Sequence, residues 1–353
     1  MKTIKFLLKS LFSNAEVAIE SKKQKWWLTF VVLILSLGLA ILPNIISEAG
    51  KNGSQYITSF TQYNVDYSLE RLSIEYLNGE NAKLDLVINE DNKLVVGEND
   101  FSKQAGAKSV KVNEEDVYYI SIKQNDNVTM HVAYIKSSDN FKTLENAIIL
   151  NEKESVTEEN TTKYVSYARN TLFFAEDTVS LTIYQNNTLV ELNETGTSIA
   201  KEPTYAATCS GLYTEISSQY KNLANLYNGT NPDLIQQNWE NFFNQAYNPL
   251  KLTTVLYSSI IYTGLNTMVL VIMAFTTFLM SRFKNALCEK LKFTEAIQYV
   301  IYLALCPGLL SFLVYYIIPT LQAVSFFTFL ALRSIFFTTK FTRGEFSVKK
   351  ATK

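Results

Sequence analysis

The 353-residue chain has one histidine, three cysteines, six prolines and twelve glycines. A lone histidine excludes a His-rich metal site or His-pair catalysis within one chain. Cys209 lies in an acidic stretch, Cys288 in a basic one and Cys306 in an apolar run, so no intramolecular disulfide is expected. The motifs GxGxxG, P-loop, HExxH and GxSxG are absent, and no Cys pair has zinc spacing. The acids of "GENDF" and "EEDVYY" do not follow an ion-loop spacing, so they read as solvated surface groups rather than a Ca²⁺ site. No catalytic, cofactor-binding or metal-ligating residue is expected, no cofactor, and no nucleic-acid partner.

Charge is missing from three long stretches: residues 26–46, 252–281 and 296–332 up to Ser281 and Leu332 hold none. About 20 apolar residues cross the hydrocarbon of a bilayer. Residues 26–46 therefore read as one transmembrane helix, with Trp26 and Trp27 at the aromatic belt beside Lys22, Lys23 and Lys25. A cleavable signal peptide competes with that reading, but its apolar core is typically about 7–15 residues. Residues 252–281 make a second span. The third stretch is too long for one, because a single helix there would run about 55 Å. Two spans, 296–317 and 319–337, turn at Ile318-Pro319-Thr320. Pro319 then falls in the first turn of the last helix, and Arg333 snorkels at its end.

The charges orient these spans. Residues 1–25 carry net +4, residues 281–295 net +2 and residues 333–353 net +5, whereas residues 47–251 carry net −12. Four spans place 1–25, the 282–295 loop and the 338–353 tail on one side and the acidic segment on the other, as the positive-inside rule requires. With a Lys/Asn/Ile bias typical of AT-rich bacterial genomes, the expected location is a bacterial plasma membrane. Both termini would be cytoplasmic and residues 47–250 extracellular. The lipid bilayer is the first expected partner.

Within residues 1–25, Ile4, Leu7, Leu8, Leu11 and Phe12 recur at helical spacing with Lys2, Lys5 and Lys9 elsewhere on the wheel. That pattern suits an amphipathic helix in a bilayer interface; a helix packed on a protein partner is the alternative. From residue 47 to about 195 the pattern is strand-like. "KLDLVINEDNKLVV", "VYYISIKQNDNVTMHVAYI" and "TVSLTIYQNNTLVEL" each alternate apolar residues around an Asn/Asp turn, the signature of three hairpins. His131 falls on an exposed-phase position of such a strand and reads as a surface residue. Leu212, Ile216, Leu223 and Tyr227 then fit a helix ending at Asn228-Gly229. A second helix starts at Asn231-Pro232 and carries Leu234, Ile235, Trp239, Phe242 and Phe243 toward Pro249. The fold class is thus a membrane protein of α+β type. It has four transmembrane helices, one N-terminal and three C-terminal, and a β-rich extracellular domain ending in two helices.

Inside the spans, Asn266 and Gln322 are the strongest polar groups, candidates for bonds between helices. Pro307-Gly308 marks a kink, or a break that admits a ligand, the kink being the better fit.

"FLLKSLFSNAEVA" before the first span and "KLKFTEAIQYVIYLALCPGLL" opening the late pair resemble an uncharacterised bacterial membrane-protein family. Some of its members are labelled maltodextrin-utilisation proteins after their gene neighbours. The likeness covers roughly the first 45 and last 100 residues, and "LSIEYLNGENAKL" is similar to the family's outside strand. It implies one N-terminal span, an outside domain and a C-terminal bundle. The outside domain here is longer than the family's, and no functional residue carries over. Together these readings point to a non-enzymatic accessory or scaffold subunit of a plasma-membrane complex, or a homo-oligomer, presenting an anchored binding domain. The alternative is a small oligomeric transporter or channel component linked to sugar uptake.

Overall fold

The computed structural model describes residues 2–158, 161–185, 188–229 and 231–346. In chain order the helices are α1 (Lys2–Phe12), α2 (Asn14–Glu20), α3 (Trp26–Gly50), α4 (Gln55–Thr58), α5 (Val65–Tyr76), α6 (Phe141–Asn151), α7 (Ser218–Lys221), α8 (Pro232–Met280), α9 (Phe293–Ile317) and α10 (Gln322–Thr342). The strands are β1 (Leu86–Ile88), β2 (Leu94–Val96), β3 (Lys108–Val112), β4 (Glu115–Gln124), β5 (Asn127–Tyr134), β6 (Glu154–Glu158), β7 (Thr161–Ala168), β8 (Asn170–Phe174), β9 (Thr178–Ile183), β10 (Thr188–Glu191) and β11 (Ala207–Leu212). The chain divides into two units. One comprises Met1–Gly50 with Thr253–Lys353, and the other Lys51–Leu252.

The first unit is helical. Among the described residues four helices are long and apolar enough to cross a membrane: Trp26–Gly50, Pro232–Met280, Phe293–Ile317 and Val324–Thr342. The expected turn near Pro319 is present as a 3₁₀ turn, Pro319–Leu321, which precedes α10 instead of opening it. The third span starts at Phe293, three residues before the expected 296. There the Glu295 carboxylate accepts from the Lys292 N–H at 2.8 Å and satisfies a donor the helix leaves free. Helix α9 is the centre of this unit: half of its apolar window is buried, against 17% for α8. Along α8, Leu256, Ile260, Met268 and Phe275 stand exposed.

The N-terminal segment is two helices, not one. Ser13 stops α1 and accepts from the Glu16 N–H at 3.2 Å as the N-cap of α2. Phe6 is buried, edge-on to Tyr302 of α9 at 5.0 Å, while Ile4, Leu8 and Phe12 remain exposed. The helix is amphipathic as expected, and its packed face meets this chain's own α9. One face packs on α9, and the other is an open apolar stripe.

The second unit mixes sheet and helix. A six-stranded sheet has the order β11-β9-β8-β5-β4-β3, with β5 and β8 parallel and the other neighbours antiparallel. Two of the three expected hairpins form. Strands β1 and β2 pair around Asn92, and β4 and β5 around Asn125 and Asp126, all three with the positive φ that such turns require. The third does not form. Strand β9 pairs with β8 on one side and β11 on the other, so it has no edge left, and β10 pairs with β7 in a separate three-stranded sheet. The Asn186-Asn187 turn lies outside the described residues.

Other expectations for this unit are corrected. Residues 55–76, read as part of the β region, form α4 and α5, and the "LSIEY" likened to an outside strand closes α5. Its buried residues Val65, Ser68, Leu69, Leu72 and Ser73 fall at helical spacing, which outweighs strand propensity. The expected helix from Leu212 to Tyr227 is instead the end of β11, two 3₁₀ turns and the short α7. Asn222 ends that series as a helix by turning its side chain back to accept from the Ala224 N–H at 3.0 Å. The helix from Pro232 does form, but it does not stop at Pro249. It runs as one 49-residue helix to Met280, with Pro249 inside it.

One face of the large sheet carries Ile120, Ile122, Met130, Val132, Leu172 and Leu181 in a core with Leu69 and Leu72 of α5 and with Trp239, Phe242 and Phe243 of α8. Trp239 is fully buried and donates its indole N–H to Ser73 Oγ at 2.8 Å. The opposite face carries Val117, Tyr119, Ala133 and Phe173 beneath Leu144 and Ile148 of α6. His131 points to that face and is buried, 3% exposed, so the surface reading is wrong. The alternation itself is present, but it carries no sign of the cover that α6 supplies.

Candidate functional site: an inward arginine and its helix anchors

The expected assembly residues occupy different roles. Asn266 is buried within α8. Gln322 opens α10, and its side chain lies outside the described residues. Pro307 and Gly308 sit inside α9, which runs unbroken through both, so the pair does not open the helix to a ligand.

Gly308 serves close packing. A Cβ on it would stand 2.6 Å from the Ser36 carbonyl oxygen of α3, nearer than atoms tolerate. Ser36 and Ala40 of α3, with Ala304 and Gly308 of α9, form two facing small-xxx-small pairs, and Ser36, Ala40 and Ala304 are buried. Such pairs let two backbones approach where lipid gives no hydrophobic drive between helices.

Pro307 has a different consequence. It has no N–H, so the Leu303 carbonyl four residues earlier loses its helical donor. Arg333 Nη1 of α10 donates to that carbonyl at 2.8 Å. The same guanidinium donates through Nη2 to the Ser10 carbonyl, in the last turn of α1, and through Nε to Asn14 Oδ1 at 3.0 Å. Ser10 is among the last four carbonyls of α1, which have no partner within the helix. One side chain thus satisfies two orphaned carbonyls and ties α1 and α2 to the α9–α10 pair. Arg333 does not snorkel outward as expected; it is half-buried and turned in, because backbone oxygens there offer it what water would.

Sequence reasoning missed four further polar links in this unit. Asn44 Nδ2 of α3 donates to Ser258 Oγ of α8 at 3.1 Å. Thr277 of α8 meets Thr338 of α10 at 3.0 Å, and Ser311 of α9 meets Ser325 of α10 at 2.7 Å, Oγ to Oγ. Thr29 and the Tyr302 hydroxyl add a fourth at 3.3 Å. Hydroxyls carry little weight in a hydropathy scan, so beside Asn44, an amide inside the expected 26–46 span, only the Arg333 link had a sequence signal. It was the one charge within the expected 319–337 span, and Pro307 left a carbonyl needing a donor.

The second unit has a buried polar cluster of its own. His131 lies edge-on to Tyr119 at 5.4 Å, with Nδ1 3.0 Å from Ser121 Oγ. The Tyr119 hydroxyl donates to Glu152 Oε1 at 2.5 Å and accepts from Asn151 Nδ2 at 2.9 Å, and Lys108 Nζ reaches Glu152 at 2.8 Å. Burial pushes His131 down to about 4; the Glu152 charge opposes that shift, and Arg169 and Lys108 add to it. The imidazole is therefore neutral at pH 7 and enclosed, which makes it a packing element. The acids of the two motifs "GENDF" and "EEDVYY" meet across a pocket of about 280 Å³, where Asp100, Glu115 and Asp116 stand with Phe101, Tyr118 and Tyr134. Asp100 is held below the usual carboxylate range first by the Ser102 hydroxyl, against the opposing effect of burial. Among the described residues no three metal-ligating side chains converge on one point.

No family model matches the chain, and neither a curated protein nor a solved structure does.

Proposed function

We propose that the chain is a non-enzymatic accessory subunit of a bacterial plasma-membrane complex, anchored by four helices and presenting Lys51–Leu252 outside. The observation that carries this reading is the use made of Arg333. The basic group nearest the middle of the last span is bonded to two backbone carbonyls and an Asn, so it holds helices together instead of lining a charged route. The charge pattern supports the orientation, with residues 1–25, 282–295 and 338–353 cytoplasmic. The resemblance to the family with an N-terminal span and a C-terminal bundle supports the same arrangement.

Two measurements test it. In a cysteine-free background, Asp91→Cys in the β1–β2 turn should react with a membrane-impermeant thiol reagent in intact cells, and Lys284→Cys only after permeabilisation; the reverse pattern would overturn the orientation. Native Cys209 is unsuitable as a reporter, because it is buried and its thiol is pushed up to about 12 by that burial. Purification of the full chain in mild detergent should then yield a defined complex. The change Asn266→Leu with Gln322→Leu should reduce that association without affecting insertion. A homo-oligomer that moves solute across liposomes would replace the subunit reading with the transporter one.

A further inference from the structure

Beside Arg333 a cleft of about 640 Å³ opens between the N-terminal helices and α9–α10. Its walls are largely apolar, with Phe12 from α1, Leu310 from α9, and Leu332 and Phe336 from α10. Lys340 lines it as well, seven positions beyond Arg333, so the two cations lie on one face of α10 about two turns apart.

The electrostatics of this cleft are incomplete. A guanidinium has five N–H donors. Arg333 uses three, all on neutral oxygens, which leaves two N–H groups and a full positive charge. Among the described residues no carboxylate pairs with it. Lys340 has only Glu345, at 3.9 Å and the outer edge of ion-pair range. Neutral acceptors satisfy donors but do not balance a half-buried charge. The complement to two cations above an apolar wall is an anion with an apolar tail. A free anion would engage the two cations and leave the apolar wall of Phe12, Leu310, Leu332 and Phe336 unused.

We infer that this cleft holds an anionic phospholipid, its phosphate against Arg333 and Lys340 and an acyl chain along Phe12, Leu310, Leu332 and Phe336. The inference rests on the membrane reading above. Binding fixes the junction of α1 and α2, because Arg333 already holds Ser10 and Asn14 and the lipid chain covers the exposed Phe12.

The test uses the full chain in mild detergent, titrated separately with phosphatidylglycerol, phosphatidylcholine and inorganic phosphate, with bound lipid read by native mass spectrometry and stability by thermal shift. Phosphatidylglycerol should bind and stabilise, phosphatidylcholine about fivefold or more weakly, and inorganic phosphate should have no effect. Lys340→Gln, an exposed change that leaves the helix contacts alone, should weaken phosphatidylglycerol about fivefold, the worth of one interfacial cation. Leu310→Trp, which fills the cleft, should displace the lipid while both cations remain. Equal retention of the two lipids, an unchanged affinity in Lys340→Gln, or inorganic phosphate matching the lipid would each overturn the inference. Carbonate extraction separates this failure from that of the function. A chain that stays with the membrane yet shows no lipid preference loses the lipid site and keeps the subunit reading; a chain that washes off loses both.

Discussion

The two units place their polar groups in opposite ways. In Lys51–Leu252 both faces of one sheet are covered by a mainly aliphatic and aromatic core, with the His131 cluster and Glu145 as buried polar exceptions, and the other acids lie toward the surface. In the helical unit the exterior is apolar, with Phe30, Ile34, Ile260 and Phe275 exposed, and hydroxyls, amides and one guanidinium meet inside. A water-facing unit gains stability by hiding apolar surface. On the membrane reading proposed above, the helical unit lies in hydrocarbon, where it would gain little that way and would depend on close packing and internal hydrogen bonds. The same residue types therefore have different worth in the two places.

That contrast can be broken by substitution, most severely in the core of the second unit. Trp239→Ala removes the largest buried side chain and strands Ser73 Oγ, and should cost about 3–5 kcal/mol. Limited proteolysis across a urea series should find Lys51–Leu252 cut readily while the spans stay protected. Uniform loss of protection would mean the units do not unfold separately.

Acid gives the next effect. The folded pKa of His131 lies below its free value, so between about pH 6.5 and 4 the unfolded chain binds a proton that the folded one does not. Stability of the second unit should then fall as pH drops through that window, by up to about 3 kcal/mol in all. His131→Gln should flatten the dependence there. An unaltered acid profile in that variant would assign the loss to the carboxylates instead.

In the helical unit the predicted losses are smaller. Gly308→Ala places a methyl against the Ser36 carbonyl and should cost about 1–3 kcal/mol in detergent unfolding. Gly38→Ala, where nothing stands within 4 Å of the new methyl, should be neutral. Equal effects at the two positions would remove the case for close α3–α9 contact. Ser325→Ala, which breaks one hydroxyl link to Ser311, should cost only about 0.6 kcal/mol, the usual worth of such a bond in a membrane.

The errors of sequence reasoning follow the same division. The Asn-turn hairpins β1–β2 and β4–β5 were legible because a positive-φ turn is a local event. The expected β9–β10 hairpin carried the same local signal, and it failed because β11, from well along the chain, occupies the edge. His131 was misplaced because period-two alternation reports one covered face and cannot report a second. Pro307 and Gly308 stand side by side in the sequence, yet their roles differ and lie with distant partners: Arg333 for the carbonyl that Pro307 strands, Ser36 for the space that Gly308 leaves.

By itself the sequence determined three uncharged apolar stretches, the basic character of the three short segments and the acidity of the long one. Those depend only on composition, since transfer free energy and net charge add up residue by residue wherever the chain folds. Tertiary structure decided which polar groups turn inward: Arg333 to Leu303 and Ser10, Asn44 to Ser258, His131 beneath α6. A hydrogen bond or a covered face needs a partner at a particular point in space, and here that partner comes from another element of the fold.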